Sequence, residues 1–370
     1  MATETAAYSR RFHRELALMR EGSGQPGARR WRWLKLLLSL VLATVFLYFL
    51  AAGIREVDWQ ETGRALLRFD RLSVLTGIGL ALCGYVAAST YELLGRRYER
   101  HSVPPGTTFA IGFVAYSFAM NLGALLGGWV VRFRLYSRRG LPAKRIARII
   151  GLGVLTNWSG YLLLGGVVFL LRPPEPPPDW SIGADVLRIV GVVLLALCGW
   201  YLYLCSRCEG RVWQLRGVQL RCPPLGFAAW QILASGCSWL LMATVIANYM
   251  PDSVRFTTVV ATLFLSSIAG LIVRMPAGLG VVEAVFVAVL AHRLGAPTVL
   301  AAMVAFRASY YLVPFAFGLV VYLLLEAASR GAGIAPRLGE EGSRFRPPPA
   351  DAVDARPPMD SSRSLLAGGR

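Results

Sequence analysis

Long apolar runs alternate with short polar segments along almost the whole chain, and the polar segments are mostly basic. An α-helix needs about 20 apolar residues to cross the hydrocarbon core of a bilayer. Several uninterrupted runs reach that length, which predicts an all-α, polytopic integral membrane helix bundle. With two interrupted runs added, the pattern predicts about eight hydrophobic segments. The uninterrupted runs are residues 33–52, 72–95, 146–171, 186–204, 227–249 and 299–325.

The first interrupted run begins at residue 109 and is broken at Asn121 and Gly123. It continues into residues 132–148, a basic segment that contains no acid and is therefore predicted to be unpaired. Residues 96–100 before the run are also basic, so the positive-inside rule places both of its ends in the cytoplasm. A stretch with two cytoplasmic ends is predicted to be a re-entrant hairpin. Irregular backbone at membrane depth is tolerated where it is surrounded by protein or lines a cavity.

The second interrupted run covers residues 256–294 and is broken at residues 274–280. A re-entrant hairpin and two full crossings both agree with its flanks. Each interrupted run lies between two long runs, so the chain contains two sets in the order long run, interrupted run, long run. The two sets are predicted to have opposite orientations in the membrane. Inverted sets of broken helices are typical of transporters whose binding site lies near the bilayer midplane.

The composition agrees with a membrane protein and narrows the range of partners. Of 370 residues, 55% are hydrophobic and 16% are charged, and the formal net charge is +18. The positive charge lies beside apolar runs, so the positive-inside rule explains it more simply than nucleic acid does. The chain also has no recognisable nucleic-acid-binding motif.

The domain organisation follows from the same pattern. Residues 1–32 are a basic lead, residues 33–325 form the membrane domain, and residues 326–370 are predicted to be a disordered tail. Both termini are predicted to be cytoplasmic. The sequence has no Walker loop, and its histidines and cysteines form no metal-ligand constellation, so no ATP, cofactor or metal is predicted.

The most informative candidate site residues are charged groups inside apolar runs. Arg307 lies near the middle of the last run, with Tyr311 one helical turn further on. Glu283 follows the second break, where Gly278 and Gly280 leave backbone amides exposed. One interpretation is a structural Glu283–Arg307 pair that fixes the broken helix to the last run. The other is that Arg307, or the amides near the two glycines, bind a lipid phosphate.

A second group of candidates surrounds the first break. Arg132 and Arg134 either anchor the chain to lipid headgroups or form a phosphate-binding entrance to the cavity. Asn121 either hydrogen-bonds the hairpin tip or is a simple turn residue. Glu92 is expected to pair locally with Arg96, one turn away.

Three motifs resemble the membrane region of the lysylphosphatidylglycerol synthase/flippase family, also called the YbhN-like membrane proteins. The first is NLGALLGGWVVRFRLYSRRGLPAKRIARI, which begins at Asn121. The second is MPAGLGVVEAVFVAVL from Met275, followed by AFRASYYLVPFAFG from Ala305. The third is the shorter YELLGRRY from Tyr91. The resemblance covers residues 35–325.

The resemblance implies an integral inner-membrane protein that moves lipids, such as aminoacylated phosphatidylglycerol, between leaflets. Arg132 and Arg134 match the family motif RxRLY, and Glu283 matches the acid of PGGLGxxE. Ala277 and Trp129 depart from the family pattern. The aminoacyl-transferase domain of full-length members follows the membrane region, whereas a predicted disordered tail follows it here. The resemblance therefore implies translocation rather than enzymatic aminoacylation.

Together these features predict an ATP-independent lipid flippase or transporter for an anionic or aminoacylated phospholipid. A separately encoded lipid-modifying enzyme is the candidate protein partner. One alternative is a membrane-embedded enzyme acting on a lipid-linked substrate, for which Glu56 and Asp58 would supply the acids. Another is a non-transporting scaffold for lipid synthesis, which would depend on the basic loops and the tail.

Overall fold

The computed structural model describes residues 59–174, 183–208, 210–215, 218–273 and 280–331. Apart from one short β-hairpin, the regular elements in these ranges are helices, which confirms the predicted all-α, polytopic membrane bundle. The predicted run 33–52 and the acids Glu56 and Asp58 lie outside the described residues. Five of the described helices are long and apolar enough to cross a membrane: Arg71–Glu99, Ala143–Leu171, Ala184–Arg207, Leu225–Tyr249 and Ala296–Ala328.

The first half of the described chain carries the first interrupted run between two long helices. The Asp70 side chain caps the first long helix by accepting a hydrogen bond from the Ser73 amide at 3.1 Å. A short helix that was not predicted precedes it. In chain order the elements are α1 (Trp59–Leu67), α2 (Arg71–Glu99), α3 (Pro105–Gly123), the π-helical segment π1 (Ala124–Val130), α4 (Val131–Ser137) and α5 (Ala143–Leu171).

The second half repeats this order after an additional helix and a two-stranded antiparallel hairpin. The strands pair Val212 with Arg221, and the hairpin was not predicted. The last helix continues to Gly331, six residues past the predicted boundary at 325. The elements are α6 (Ala184–Arg207), β1 (Val212–Leu215), β2 (Val218–Arg221), α7 (Leu225–Tyr249), α8 (Phe256–Val273), α9 (Val281–Leu294), α10 (Ala296–Phe306), the π-helical segment π2 (Arg307–Leu312) and α11 (Val313–Gly331).

The chain reverses at Gly123, so α3, π1 and α4 form a re-entrant hairpin, called hairpin 1. Gly123 has φ 85°, a conformation that glycine adopts without strain. After the turn, a Cβ on Gly127 would lie only 2.0 Å from the Phe118 carbonyl oxygen, so the two halves are in backbone contact. Leu135 on the returning half joins the same buried cluster as Ile111 on the entering half. Both ends of hairpin 1 therefore lie at one end of the bundle, as predicted.

The second interrupted run also turns back on itself, and α8 and α9 are called hairpin 2. A surface cleft is lined both by residues at the start of α8, such as Arg255, and by residues at the end of α9, such as Arg293. The 14 residues of α9 would extend about 21 Å, short of the roughly 30 Å hydrocarbon core. Two full crossings would also bring both ends together, so it is the short length of α9 that favours the re-entrant hairpin.

The two hairpins enter the bundle from opposite ends, and α5 connects those ends. Ile146 and Ile149, near the start of α5, belong to the cluster at the base of hairpin 1. Arg172, directly after α5, lines the cleft at the base of hairpin 2. The predicted inverted arrangement is therefore present. The ends are called the hairpin 1 end and the hairpin 2 end below.

Close contacts between long helices hold the bundle together. A Cβ on Gly160 of α5 would lie 2.5 Å from the backbone nitrogen of Gly236 in α7, so these helices cross in near-backbone contact. Beside this crossing the Gln231 amide donates to the Thr156 hydroxyl at 2.7 Å. Small residues at a crossing and polar side chains bonded across it are typical of membrane helix packing.

Candidate functional site

The centre of the candidate site is an ion pair between hairpin 2 and the last long helix. Arg307 is the first residue of π2, and its guanidinium donates two hydrogen bonds to the Glu283 carboxylate, one from Nε to Oε1 and one from an Nη nitrogen to Oε2 at 3.1 Å. Both side chains keep 18% of their surface exposed. The predicted Glu283–Arg307 contact is thus confirmed, and part of each side chain stays accessible.

Tyr311 and Asn121 connect this ion pair to the tip of hairpin 1. The Arg307 guanidinium lies over the Tyr311 ring, with 4.6 Å from its carbon to the ring centroid. The Asn121 amide donates to the Tyr311 carbonyl at 3.2 Å and to the Ser117 carbonyl at 2.9 Å. A π-helical turn disturbs the regular carbonyl pairing of a helix, and such turns are frequent at functional sites. Through its hydrogen bond to the Tyr311 carbonyl, Asn121 joins the tip of hairpin 1 to π2.

Tyrosines pack behind the ion pair, and two of them, Tyr85 and Tyr116, were not identified from the sequence. The hydroxyls of Tyr116 and Tyr310 lie 3.3 Å apart. The ring of Tyr85 contacts both, at centroid distances of 4.9 and 5.2 Å. The Tyr85 hydroxyl is buried and has no hydrogen-bond partner among the described residues. Aromatic residues at helical spacing normally form core, which explains why their polar ends were overlooked.

The glycines of the second break are only partly described. Gly280 immediately precedes α9 and has φ 78°, in the left-handed region that favours glycine. Its carbonyl accepts the Ala284 amide at 2.9 Å, so it starts the helix that carries Glu283. Gly278 lies outside the described residues.

Arg132 and Arg134 lie apart from this centre, on the returning half of hairpin 1. Arg132 Nε donates to Oε1 of Glu92 on α2, and the Tyr136 hydroxyl donates to Oε2 of Glu92 at 2.7 Å. The Glu92 side chain is only 1% exposed. The predicted local pair of Glu92 with Arg96 is wrong, because the docking of hairpin 1 brings Arg132 onto Glu92. Arg96 instead donates to a backbone carbonyl 2.7 Å away.

Other arginines of the basic segment are also paired, so the prediction of an unpaired cluster is wrong for them. Glu326 in α11 accepts hydrogen bonds or ion pairs from Arg134 at 2.9 Å and from Arg138 at 2.6 Å. Glu99 at the end of α2 accepts two hydrogen bonds from Arg148, each 2.7 Å long. The Arg134 side chain nevertheless remains 49% exposed. These carboxylates lie far from the arginines in sequence, so no local pattern pointed to them.

His101, in the loop between α2 and α3, is a titratable group near the base of hairpin 1. Its ring meets Tyr136 edge-on at 5.6 Å, and both ring nitrogens are buried without a partner among the described residues. Loss of hydration on burial lowers the pKa of the imidazole, and Arg96 lowers it further. A neutral His101 therefore adds no charge beside Glu92 and Arg132.

The structure thus divides the predicted site residues into two groups. One group lies where both hairpins meet the last helix and comprises Asn121, Gly280, Glu283, Arg307 and Tyr311. The other, with Arg132 and Arg134, lies near the base of hairpin 1. The arginine guanidinium forms geometrically specific pairs with carboxylates and with phosphates. In both sets of residues, a glutamate therefore occupies an arginine that could otherwise bind a phosphate.

Comparison with known proteins places the whole arrangement in one family. The family model described as lysylphosphatidylglycerol synthase TM region matches residues 33–318, which include both hairpins. Inner membrane protein YbhN of Escherichia coli (strain K12) is 36% identical over 302 residues, covering 81% of this chain and 95% of that protein. An uncharacterized protein of Synechocystis is 28% identical over 266 residues, covering 70% of this chain and 82% of that protein.

A relative with an assigned reaction matches over only part of its own length. Phosphatidylglycerol lysyltransferase of Staphylococcus haemolyticus is 24% identical over 326 residues, covering 85% of this chain but 36% of that protein. The chain is a multi-pass integral membrane protein and belongs to the lysylphosphatidylglycerol synthase TM-region family.

Proposed function

We propose that this protein binds an anionic or aminoacylated phospholipid and moves it between the leaflets of the bacterial inner membrane without using ATP. Both termini lie in the cytoplasm in this proposal. A separately encoded lipid-modifying enzyme would supply or use the lipid. The observation that carries the proposal is the partly exposed Arg307–Glu283 pair at the meeting point of two inverted hairpins.

The ion pair has the chemistry to handle a lipid headgroup. A phosphate would accept hydrogen bonds from the Arg307 guanidinium, and the released Glu283 carboxylate would suit the amino group of an aminoacylated lipid. An unpaired arginine or glutamate within the bilayer costs at least a few kcal/mol, so each charge favours a partner at every stage. If each charged side chain exchanges its partner in the ion pair for a group of the lipid headgroup, neither charge is left unpaired and that cost stays low.

The remaining predicted residues would guide the headgroup to the pair. Arg134 is half-exposed despite its contact with Glu326, and with Arg132 it would attract phosphate near the base of hairpin 1. Asn121, Tyr311, Gly278 and Gly280 would shape the polar path between the hairpins. The name of the Staphylococcus haemolyticus relative connects its family with a lysyl-modified anionic lipid, which supports a lipid as cargo.

Alanine substitution of both members of the pair tests the site. In proteoliposomes that contain fluorescent phosphatidylglycerol, we expect the Arg307→Ala/Glu283→Ala variant to lose most lipid translocation. Arg148→Ala is the matched control because it removes another two-bond arginine–glutamate pair, between α2 and α5. The control should keep its activity. Wild-type translocation by a well-expressed double variant would reject the site.

A charge swap separates lipid binding from a purely structural pair. The Arg307→Glu/Glu283→Arg variant keeps one charge of each sign but moves the positive charge from π2 to α9. If the pair only fixes hairpin 2, the swap should restore both thermal stability in detergent and translocation. If Arg307 binds phosphate at this position, stability should recover while translocation stays low.

A further inference from the structure

The hairpin 2 end of the bundle contains an open cleft that lies apart from the proposed lipid site. Its volume is about 550 Å³. Three segments meet there: the end of α5 with Pro173 and Pro174, the start of α8, and the end of α9. This volume falls in the range of roughly 300–1,000 Å³ that is usual for small-molecule sites.

The lining of the cleft is strongly basic. Arg172, Arg255 and Arg293 come from the three different segments, and His292 stands beside Arg293. None of the described residues that line the cleft is an aspartate or glutamate. Arginines from separate elements that face one space raise the local positive potential, which attracts anions.

Hydroxyl groups at the start of α8 add neutral hydrogen-bond donors to this charge. Ser253, Thr257 and Thr258 line the cleft. They surround the first turn of an 18-residue helix, where the helix dipole also favours negative charge. Arginine together with hydroxyl donors is the combination that binds phosphate oxygens.

The positive-inside rule does not account for these arginines. The rule predicts that the hairpin 2 end faces outward, where basic residues have no topological role. Among the described residues, Arg172 and Arg255 form no ion pair, so a neighbouring carboxylate does not account for them either.

We propose that this cleft is a binding site for a phosphate group, carried either by a lipid headgroup at the membrane surface or by a free phosphate ion. The arginines supply the charge, and the serine and threonine hydroxyls hydrogen-bond the remaining oxygens. The site does not depend on the proposed translocation, since it lies at the base of hairpin 2 and not at the Arg307–Glu283 pair.

The test compares binding by the purified full chain with binding by an Arg172→Gln/Arg255→Gln variant. The probes are dihexanoyl phosphatidylglycerol, followed by native mass spectrometry, and inorganic phosphate, followed by phosphorus NMR. Removal of two charged donors should weaken binding of the true ligand class about tenfold or more. Arg64→Gln/Arg68→Gln is the matched control, because it removes two exposed arginines from α1 and the residue after it.

The two probes distinguish the source of the phosphate. If the variant binds the lipid more weakly and neither protein binds inorganic phosphate, the cleft is assigned to a lipid headgroup. If the variant binds inorganic phosphate more weakly, the cleft is assigned to a free anion. Equal binding of both probes by wild type and variant would overturn the site. If the double variant fails to fold, Arg255→Gln measured against Arg64→Gln gives the same comparison with one charge removed. Translocation is not the readout, so failure here is separate from failure of the lipid carrier.

Discussion

Each hairpin forms a largely buried arginine–glutamate pair with a long helix, and the signs are exchanged between these two pairs. Hairpin 1 carries Arg132 and meets Glu92 on α2, whereas hairpin 2 carries Glu283 and meets Arg307 at the start of π2. Removing one partner of a buried pair leaves an uncompensated charge, which is costlier than never having had the pair. The hairpins therefore depend on both members of each pair being present.

Glu92→Gln tests this dependence at hairpin 1. The substitution keeps the shape of the side chain but leaves Arg132 without a carboxylate, so we expect the free energy of unfolding to fall by about 3 kcal/mol or more. Thermal unfolding in detergent measures the change. Asp185→Asn is the control, because its pair with Arg188 is exposed and should contribute little.

The double variant Glu92→Gln/Arg132→Gln completes the comparison. Removal of both charges should recover much of the lost stability, since neither charge is then left buried alone. Stability losses that simply add would show that the two side chains act independently, and the ion pair would not be what holds hairpin 1.

The partner of Arg132 illustrates which residue contacts the sequence could not predict. The importance of Glu283 and Arg307 was visible because charges inside apolar runs are expensive, and Arg132 was noted because it begins the basic segment after the first break. The Glu283–Arg307 pair was also predicted, since few acids lie near that depth. Glu92 lies 40 residues before Arg132, and its nearest basic neighbour in sequence was Arg96. Only the folding of hairpin 1 against α2 decides between them.

At the scale of elements, hairpin 1 depends on a backbone contact that only glycine permits. Gly127 in π1 lies directly on α3, and a Cβ there would be 2.0 Å from the Phe118 carbonyl oxygen and 2.2 Å from its carbonyl carbon. Backbone atoms of a helix cannot move aside as a flexible side chain can. At Gly128 a Cβ would meet only Arg132 Nη1 at 3.3 Å and Ala119 Cβ at 3.4 Å.

Gly127→Ala and Gly128→Ala form a matched pair that tests this contact. We expect Gly127→Ala to lower stability by about 3 kcal/mol, at the upper end of overpacking costs, and to impair folding of hairpin 1. Gly128→Ala should cost less than about 1 kcal/mol, because the Arg132 side chain can shift. Thermal unfolding in detergent is the measurement. Equal effects of the two variants would contradict the backbone contact between π1 and α3.

The breaks between elements were largely predictable, and the irregular helices were not. Asn121 and Gly123 indicated the first turn, and the glycines before Glu283 indicated the second. The π-helical turns that begin at Ala124 and Arg307 have no sequence signature, because their residues also suit an α-helix. The strands Val212–Leu215 and Val218–Arg221 lie in a polar segment between two apolar runs, for which no regular element was predicted.

At the scale of the whole molecule, both inverted hairpins meet the last long helix at π2. The tip of hairpin 1 meets π2 through Asn121, while hairpin 2 meets π2 through Glu283. The last helix therefore contacts structures that enter from both ends of the bundle. In the proposed lipid carrier, movement of either hairpin relative to π2 would change access to Arg307, as alternating access requires.

Single cysteines at the hairpin bases test this architecture in cells. The chain has six native cysteines, which would first be replaced by alanine or serine. Gly106→Cys and Ser137→Cys flank hairpin 1, and Ser253→Cys and His292→Cys flank hairpin 2; all four positions are exposed. With a membrane-impermeant maleimide, we expect the first two to react only after permeabilisation and the second two to react in intact spheroplasts.

Because the members of each pair are predicted to share a side, their agreement tests the hairpins independently of orientation. Agreement within both pairs but with the sides exchanged would keep the inverted hairpins and reverse the proposed orientation. Opposite labelling of Gly106→Cys and Ser137→Cys would mean that the segment crosses the membrane, and the inverted arrangement would then be wrong.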